Sequence, residues 1–570
     1  MCGILGGNNR KWNYEAGISS MKHRGPDGIK VENFGEITLA FARLAIVDLS
    51  EQGMQPMYTY DRQVALVFNG EIYGYLKLRE KLEKKYAFRS HTDTEVLLYA
   101  YLEYGDDFIY RIDGMFAIAV YDKRTECLKL FRDRAGIKPV YYFYEGQEFA
   151  FSSELRGIHN LCEDKQFEID KTALYDYITY SFIPEPKTLY KKIYKLEPAT
   201  CLYFDLRKKK VIRHERYWDI VPNVNKKSYL DIKIVQEELR DTIHKSVEEQ
   251  MIADVPVGVM TSGGVDSSII TYECAQINPE IETFTMGVTD KQKDESAYAR
   301  VLIDFLNLKS NIEFFGTDDL FSMYDMMPEW FGEPFADRSA FITYKLMEMA
   351  CRKVKVLLSG DGGDEIFGGY RWQHMQRKRN FFQLTRFASC YESYTKNFCN
   401  VNELKTKKQL DEYFMDDITW RCGNRWLMMR QDKEDYRKKW NIAQDYDDYW
   451  YIRQFYHKEL PYITREQYID FHTYLPYILN KVDRVSMALS IEVRVPLLSK
   501  RVVEYSFSLP QDARCAVGKP KELLKRSYSI LPQELFYRNK IGFSISQNYF
   551  GVGKRSNEIM LQQLWSQIIE

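Results

Sequence analysis

The residues best suited to chemistry form a glycine-rich loop, Ser262-Gly263-Gly264-Val265-Asp266-Ser267-Ser268. Its glycines let backbone N–H groups come close to a phosphate, because no Cβ stands in the way. Its serines add hydroxyl donors, and Asp266 could hold a magnesium ion that shares the phosphate charge. The loop lacks the Gly-Lys-Ser or Gly-Lys-Thr of the Walker sequence, so Walker-type binding of β- and γ-phosphates is not predicted. The alternative is a surface turn rich in serine and glycine.

A second glycine loop is acidic and runs Ser359-Gly360-Asp361-Gly362-Gly363-Asp364-Glu365. Carboxylates crowded in this way repel one another unless a cation or a proton neutralises them. Magnesium pyrophosphate, or an incoming ammonia, would give a reason for the crowding. The alternative is an exposed acidic turn.

A third candidate for chemistry is Cys2, which directly follows Met1. Aminopeptidases remove an initiating methionine when the second residue is small, and Cys2 would then carry both a thiol and a free α-amine. Such an amine has an ordinary pKa of about 7.7–8.0. It can act as the base for its own thiol, so no histidine is needed. The alternative is an ordinary cysteine that happens to follow the start.

The elements that must position these residues can be read from the hydrophobic pattern. An apolar run at 255–260 precedes the first loop and a predicted helix at 269–275 follows it, which is the strand–turn–helix arrangement of an anion site. A second buried strand is predicted at 283–287, and the edge where such strands end is where an α/β sheet binds a nucleotide. Apolar residues at steps of three and four predict an amphipathic helix over 232–251. Residues 115–153 read as hairpins.

Composition limits the classes of function. The chain has 570 residues, enough for more than one domain, and 80 Lys+Arg against 81 Asp+Glu give a net charge of −1. This balance predicts no general attraction to nucleic acid or to an anionic membrane. No apolar run approaches the roughly 18 residues of a membrane span, and no signal peptide is evident. Ten cysteines without a CxxC pair and eight dispersed histidines predict reduced thiols, no zinc site and a cytoplasmic protein.

Four motifs in the first part of the chain carry a family resemblance. They are His23-Arg24-Gly25-Pro26-Asp27, Arg43-Leu44-Ala45-Ile46-Val47-Asp48, Asn69-Gly70-Glu71-Ile72-Tyr73 and Thr92-Asp93-Thr94-Glu95. With Cys2, they make residues 1–205 resemble the glutaminase domain of the class II glutamine amidotransferases, the N-terminal-nucleophile type. The resemblance implies a glutamine site made of Cys2, Arg43, Leu44, Ile46, Val47, Asn69, Gly70, Glu71 and Asp93.

The resemblance also implies roles within that site. Arg43 would pair with the α-carboxylate of glutamine, for which a guanidinium fork is suited. Glu71 and Asp93 would receive the α-ammonium group. The Asn69 side chain and the Gly70 N–H would form the oxyanion hole, although Asn-Gly read alone predicts a hairpin turn. One departure is Phe41, where many members of the family carry histidine.

Further along the first domain, the charged run Arg132-Asp133-Arg134 taken alone predicts a solvated connection between strands. The same run resembles a glutaminase segment of the family, which favours a structural role over a catalytic one. A charged, aperiodic stretch over 206–230 predicts a linker to a second domain.

The second domain, 231–570, shows a second resemblance. Besides the two glycine loops it contains the motifs 480–487, 491–496, 518–525 and 538–543, whose order and spacing match the C-terminal part of the asparagine synthetase domain. The resemblance implies ATP binding by Met260, Ser262, Gly263, Gly264, Asp266, Ser267, Met286, Ser359 and Gly360. It implies Mg²⁺ on Asp266 and Asp364, and charge stabilisation by Lys521.

The whole chain is therefore similar to the bacterial type of glutamine-hydrolysing asparagine synthetase. The implied fold is an α+β N-terminal-nucleophile (αββα) domain, then an α/β parallel-sheet ATP-pyrophosphatase domain with a helical C-terminal part. The implied reaction amidates aspartate through a β-aspartyl-AMP intermediate, with ammonia from glutamine, and releases AMP and pyrophosphate. A homodimer is possible.

The carboxylate acceptor stays open at this point. A sugar acid of a surface polysaccharide or a cell-wall peptide could replace aspartate. Asp361 stands where many relatives have glutamate, and it could take the proton from attacking ammonia. Residues 371–475 and the tail with Ser544 and Ile545 are the segments where acceptor choice could differ. A relative without turnover is disfavoured by the filled catalytic positions, and a β-lactam-forming synthetase by Cys2.

Overall fold

The computed structural model describes residues 2–226, 231–291, 294–316, 323–375, 416–424 and 433–538. Met1, a large part of the segment 371–475, and the tail with Ser544 and Ile545 lie outside the described residues. The predictions made on these parts therefore stay predictions.

The first domain is built from two antiparallel sheets. Its strands are β1 (Gly3–Gly7), β2 (Gly28–Asn33), β3 (Thr38–Arg43), β4 (Met57–Tyr58), β5 (Val64–Tyr73), β6 (Asp113–Asp122), β7 (Cys127–Arg132), β8 (Tyr141–Glu145), β9 (Glu148–Ser152), β10 (Ile193–Lys195), β11 (Thr200–Asp205) and β12 (Lys210–Arg216). One sheet has the order β10-β8-β9-β1-β3-β2, and the other β12-β11-β7-β6-β5-β4. Within the predicted linker, β12 pairs with β11 and extends the second sheet to residue 216.

Helices cover the outer faces of the two sheets. They are α1 (Tyr14–Ser19), α2 (Tyr75–Leu82), α3 (Asp93–Tyr104), α4 (Phe108–Arg111) and α5 (Leu155–Leu161). A further helix, α6 (Lys171–Tyr180), contacts the second domain, where Arg437 donates to the Tyr175 hydroxyl over 2.8 Å. Alternate residues of a strand face opposite ways, so Ile4 lies in the core between the sheets while Leu5 packs outside with α1 and α5. On β5, Val67 faces inward and Phe68 packs with α2 and α3. The predicted αββα layering is confirmed.

The second domain contains a parallel sheet. Its strands are β13 (Val257–Met260), β14 (Glu282–Val288), β15 (Lys309–Phe315), β16 (Val356–Leu358) and β17 (Glu492–Arg494), in the order β15-β14-β13-β16-β17. Val259 on β13 is in register with both Thr283 on β14 and Leu358 on β16. The strands before the two glycine loops thus end at the same edge of the sheet, where α/β proteins place their ligands.

The described part of the second domain also contains α-helices. They are α7 (Ile232–Gln250), α8 (Val265–Ile277), α9 (Ser296–Leu306), α10 (Met327–Phe331), α11 (Ser339–Ala350), α12 (Gly363–Phe367), α13 (Asp417–Asn424), α14 (Glu434–Lys439), α15 (Trp450–Arg453), α16 (Tyr462–Thr473), α17 (Leu475–Met487), α18 (Lys500–Ser508), α19 (Gln511–Arg514) and α20 (Glu522–Ser527). Short 3-10 helices cover Lys22–Arg24, Glu51–Gly53, Gly105–Asp107, Val221–Asn223, Tyr324–Met326, Arg371–His374, Pro496–Leu498 and Gln533–Leu535. The parallel sheet with its helical C-terminal part is confirmed. Within the described ranges, no helix has both the length and the apolar character of a membrane span.

Candidate active sites

The thiol of Cys2 lies just before β1, beside the end of β3. The backbone N–H of Leu44 donates to the Cys2 Sγ over 3.5 Å, and the backbone N–H of Cys2 donates to Asn69 Oδ1 over 3.0 Å. The Cys2 side chain is buried, and burial raises the pKa of its thiol above the ordinary value. A base next to the thiol is therefore needed to form the reactive thiolate.

Asn69 lies on β5 and is fully buried. Since its Oδ1 accepts from Cys2, its Nδ2 points elsewhere, and among the described residues it has no acceptor within hydrogen-bond distance. A buried donor without a partner costs about 1–3 kcal/mol. Such a donor suits an oxygen that becomes negative during a reaction.

Gly70 follows with a φ of +149°. A Cβ at this position would lie 1.9 Å from the carbonyl oxygen of Met115 on the neighbouring strand β6, so a side chain does not fit. The close pairing of β5 with β6 thus requires glycine here, directly after Asn69.

The next two site residues are carboxylates: Glu71, which follows Gly70 on β5, and Asp93, which begins α3. Glu71 Oε2 accepts from Arg494 Nη2 over 3.1 Å, and Asp93 Oδ2 accepts from the Ile72 N–H over 2.9 Å. Burial and the Asp93 charge raise the pKa of Glu71 well above its ordinary value, against the opposing charge of Arg494. Burial also raises the pKa of Asp93, to about 7. An acidic pocket of this kind suits a cation such as an ammonium group.

Arg43 ends β3 and organises the segment that follows it. Its guanidinium donates to the carbonyl oxygen of Ser50 over 2.6 Å and to that of Asp48. The segment is also held from the second domain by Asp254, whose N–H donates to the Ile46 carbonyl over 2.9 Å and whose carboxylate accepts from the Asp48 N–H over 2.7 Å. The predicted glutamine residues on this segment are Leu44, Ile46 and Val47.

Phe41, the departure from the family pattern, is 1% exposed on β3, in register with Ile4 on β1. It belongs to the core between the two sheets. Phe41 therefore packs in the core beneath the site. A histidine at this position would place a polar ring in that core.

The serine-rich loop closes on itself between β13 and α8. Ser262 Oγ and Ser267 Oγ are 2.8 Å apart, and the Ser262 N–H also donates to Ser267 Oγ over 3.2 Å. Gly263 has a φ of +72°, and a Cβ there would lie 2.6 Å from the backbone of Tyr298 and Ala299. The loop is thus preformed at the N-terminus of a helix, as an anion site requires.

The predicted adenine contacts lie on the strands beside this loop. Met260 ends β13, and Met286 lies on β14, where it is buried. The backbone N–H of Thr261 donates to the Phe284 carbonyl over 2.9 Å, which joins the two strands up to the point where the loop begins.

The acidic loop starts at Ser359, directly after β16. The Ser359 N–H donates to the Arg494 carbonyl on β17 over 2.9 Å, and the Ser359 hydroxyl donates to Asp361 Oδ2 over 2.7 Å. A Cβ on Gly360 would lie 2.7 Å from the backbone nitrogen of Ser267. The two glycine loops therefore touch each other at this edge of the sheet.

Lys521 joins the carboxylates of both loops. Its Nζ lies 2.6 Å from Asp364 Oδ1 and also forms an ion pair with Asp266. Burial would lower the pKa of Lys521, but the two carboxylates raise it above the ordinary value. A Cβ on Gly363 would lie 2.3 Å from Asp266 Oδ1, and one on Gly369 would lie 1.8 Å from Asp364 Oδ1. Glycines thus make the room that this charged cluster occupies.

The donors of this cluster can be compared with what magnesium needs. In the described part of the chain, no group of three or more His, Cys, Asp or Glu side chains is placed to hold a metal. Mg²⁺ in nucleotide enzymes usually takes only one or two protein carboxylates and completes its shell with phosphate oxygens and water. Asp266 and Asp364 therefore fit an ion that arrives with a nucleotide.

The roles of three arginines in or beside the sites were not predicted from the sequence. Arg494 pairs with Glu71 from the second domain. Arg24 donates to the Cys2 carbonyl over 3.2 Å and to Asp483 of the second domain over 2.9 Å. Arg538 donates to the Gly263 carbonyl over 3.2 Å. Each lies in a motif that the sequence analysis noted, but nothing in a motif reveals a partner hundreds of residues away.

Comparison with known proteins gives matches over both domains. Residues 1–218 match the family of the glutamine amidotransferase domain, and residues 238–566 match the asparagine synthase family. Glutamine-hydrolyzing asparagine synthetase 1 of Bacillus subtilis is 32% identical over 533 residues, which cover 92% of this chain and 82% of that protein. A Methanocaldococcus jannaschii protein, provisionally named glutamine-hydrolyzing asparagine synthetase 2, is 40% identical over 372 residues, covering 62% of this chain and 71% of that protein.

Among solved structures, glutamine phosphoribosylpyrophosphate amidotransferase from B. subtilis matches with 14% identity and a TM-score of 0.30. The match covers 55% of this chain and 65% of that one. At this level the likeness supports no argument about either site.

Proposed function

The chain belongs to the asparagine synthase family, and we propose that it converts aspartate to asparagine with ammonia taken from glutamine. Its relatives support the general activity, a glutamine-dependent and ATP-driven amidation. The finer proposal is that ATP activates the β-carboxylate of aspartate as β-aspartyl-AMP, and that AMP and pyrophosphate are released.

The contact between Cys2 and Asn69 is the observation that carries this proposal. After removal of Met1, the nitrogen of Cys2 that now donates to Asn69 Oδ1 would be an α-amine. It would take the proton of the thiol, and Sγ would attack the amide carbon of glutamine. The Asn69 Nδ2 and the Gly70 N–H would donate to the oxyanion that forms. Collapse of this intermediate would release ammonia, and water would then cleave the thioester to give glutamate.

Charged groups would hold glutamine in register for this attack. The α-carboxylate would take the Arg43 guanidinium, which now donates to the Asp48 and Ser50 carbonyl oxygens. The α-ammonium would lie against Glu71 and Asp93. The backbone of Leu44, Ile46 and Val47 would form the wall beside the thiol, since Leu44 already contacts Sγ.

In the second domain, the two glycine loops would bind ATP at the edge of the parallel sheet. The Ser262–Ser268 loop and Ser359-Gly360 would face the phosphates, and Met260 and Met286 would contact adenine. Lys521 would stabilise the charge that grows on the phosphates as the carboxylate attacks. Magnesium, held by Asp266 and Asp364 when bound with ATP, would neutralise part of the pyrophosphate charge.

The acceptor is proposed to be aspartate, with a carboxylate on a surface-polysaccharide sugar or a cell-wall peptide as the second candidate. Asp361 favours keeping the second candidate, because its side chain is one methylene shorter than the glutamate of many relatives. Its carboxylate accepts from Ser359, so it is held close to the loop that would bind ATP. In that position it would take the proton from attacking ammonia.

Product analysis by mass spectrometry tests the proposal. Purified full-length protein is incubated with ATP, magnesium, glutamine and aspartate, and asparagine, AMP, pyrophosphate and glutamate are followed. We expect asparagine and AMP in equal amounts. Glutamate without asparagine would reject aspartate and favour the second candidate.

The Cys2→Ala variant separates the two halves of the reaction. Glutamine-dependent synthesis should fall by at least about 10⁴-fold, because the nucleophile is lost. Synthesis with an ammonium salt should stay within about threefold of the wild type, since free ammonia bypasses this step. Cys351→Ala, which removes a half-buried thiol of the second domain, is the matched control. Loss of ammonia-dependent synthesis in folded Cys2→Ala protein would contradict the two-site reaction.

A further inference from the structure

Arg494 reaches from the second domain into the acidic pocket of the first. It ends β17 and is fully buried. Its Nε donates to Glu492 Oε1 over 2.7 Å, and its Nη1 donates to the carbonyl oxygens of Gln250 and Ile252, both over 2.7 Å. Its Nη2 donates to Glu71 Oε2 over 3.1 Å. Contacts of its own domain therefore fix the guanidinium, and one nitrogen is left to hold Glu71.

The charges around Glu71 show why it needs such a partner. Asp93 on α3 and Glu492 on β17 are like charges that act on it, and Tyr73 lies two residues further along β5. Two positive charges oppose them: the guanidinium of Arg494, which contacts Glu71 directly, and the N-terminal amine. Removing one partner of a buried ion pair leaves an uncompensated charge, which a carboxyl group avoids by taking up a proton. A protonated Glu71 could no longer attract an ammonium group.

We propose that Arg494 is a positioning residue of the glutamine site, supplied by the synthetase domain, which aims Glu71 at the α-ammonium of glutamine and opposes its protonation. The inference rests on the proposed function, because it takes glutamine as the ligand of Glu71. Arg494 acts only through Glu71.

A second buried ion pair between the domains provides the contrast. Lys195 of β10 pairs with Glu333 of the second domain, and both side chains are less than 10% exposed. This pair also joins the two domains, but neither residue belongs to the glutamine set. If Arg494 merely held the domains together, replacing Glu333 should have the same effect on glutamine as replacing Arg494.

The test uses the full chain and two readouts of glutamine binding. One is the KM and kcat of glutamine hydrolysis, measured from about pH 5.5 to about pH 8.5, a span that covers the titration of perturbed carboxyl groups and of the α-amine. The other is the alkylation of Cys2 by a diazoketone analogue of glutamine, followed by mass spectrometry. The variants are Arg494→Gln, Arg494→Lys and Glu333→Gln, each checked by thermal unfolding.

For Arg494→Gln we expect the KM for glutamine to rise about tenfold or more, as for the loss of one partner of a buried charge pair. We expect kcat to change less than about threefold, because the thiol and its oxyanion donors are untouched. The acidic limb of kcat/KM should move to higher pH. In Arg494→Lys, the KM for glutamine and the pH of the acidic limb of kcat/KM should both lie between the wild-type and Arg494→Gln values. Lysine keeps the positive charge but lacks the planar fork of the guanidinium. Glu333→Gln should leave both unchanged.

Other outcomes overturn the inference. An unchanged KM and pH limb in folded Arg494→Gln would do so, as would an equal shift in Glu333→Gln. If Arg494→Gln does not fold, Arg494→Lys decides, and a wild-type KM and limb in that variant would reject the proposal. A wild-type protein that neither hydrolyses glutamine nor is alkylated at Cys2 would overturn the proposed function itself. Failure of the Arg494 proposal can therefore be told apart from failure of the proposed function.

Discussion

The two sites differ in where their charges are held. The glutamine site is braced from the other domain at three places. Arg494 pairs with Glu71, Asp483 binds the arginine that holds the Cys2 carbonyl, and Asp254 binds the backbone of the Arg43 segment. In the phosphate site, by contrast, Lys521 and both of its carboxylate partners belong to one domain.

The charged groups of the phosphate site are thus supplied within one domain, whereas those of the glutamine site come from two. The charged cluster around Lys521 is built on glycines and strand ends of a single sheet, so its assembly does not require the first domain. The glutamine site is completed by side chains that arrive across the domain contact. We therefore expect changes in the phosphate site to leave glutamine chemistry intact, whereas changes at the domain contact reach the glutamine site.

A substitution of Lys521 should impair the phosphate site and leave the glutamine site unchanged. Lys521→Met removes the cation that joins Asp266 and Asp364, so two carboxylates would face the phosphates of ATP. The rate of ATP–pyrophosphate exchange with acceptor present should fall about 1,000-fold, the upper range for removing one charge-stabilising group. Alkylation of Cys2 by the diazoketone analogue should stay at the wild-type rate.

Lys525→Met is the matched control for this prediction, because Lys525 lies one turn further along α20 and is half-buried. Its exchange rate should stay within about threefold of the wild type, as for a substitution away from the reacting groups. If Lys521→Met were folded and both exchange and alkylation collapsed, the two sites would not be independent in this direction.

A smaller effect is expected when the glutamine site loses the Nδ2 donor of Asn69. Asn69→Ala removes both Nδ2 and the acceptor of the Cys2 nitrogen, so kcat for glutamine hydrolysis should fall about 100-fold. The KM should change little, because the ligands of the α-carboxylate and α-ammonium groups remain. Ammonia-dependent synthesis should be unaffected. Asn160→Ala, which removes an amide that donates to the Arg156 carbonyl, should behave as the wild type. A raised KM with normal kcat would show that Asn69 binds glutamine and does not stabilise the oxyanion.

Much of this arrangement was readable from the sequence, for a physical reason. The glycine loops and the strands before them depend on residues close together in the chain, so composition and periodicity predict them. The αββα layering was implied by the family resemblance. Family resemblance supplied the set of glutamine and ATP residues, and the structure brings Cys2 to Asn69 and Lys521 to Asp266 and Asp364.

What the sequence could not supply is the identity of distant partners. Glu71 and Arg494 are 423 positions apart, and no local pattern pairs them. The run Arg132-Asp133-Arg134 shows the same limit, since read alone it predicted a solvated connection. It is buried, and Asp133 accepts from the backbone N–H groups of Phe116, Ile137 and Lys138. The structural role that the resemblance favoured thus has a physical basis: a buried carboxylate satisfied by backbone donors.

The smallest expected effect concerns pH and sharpens the contrast between the sites. Burial raises the pKa of Asp93 to about 7. A raised pKa means that the carboxyl group is neutral below this value, and a neutral group does not attract the α-ammonium of glutamine. The contribution of Asp93 to binding should therefore be complete above pH 7 and should be lost as the pH falls through it. Lys521 keeps its charge over the same range, because its pKa is raised above that of an ordinary lysine.

The measurement is the half-saturating concentration of the diazoketone analogue for alkylation of Cys2, taken at several pH values. It should rise up to about tenfold for each pH unit below 7, the limit for binding that requires one ionised group. Protonation of the α-amine slows the alkylation step itself, so the half-saturating concentration isolates the effect on binding. In Asp93→Asn, binding should be weak at every pH, and the steep part of the profile should flatten. A half-saturating concentration that stays constant in the wild type down to pH about 6 would mean that Asp93 remains ionised in the free site. The positive charge supplied across the domain contact would then stabilise the ionised form of Asp93 as well as that of Glu71.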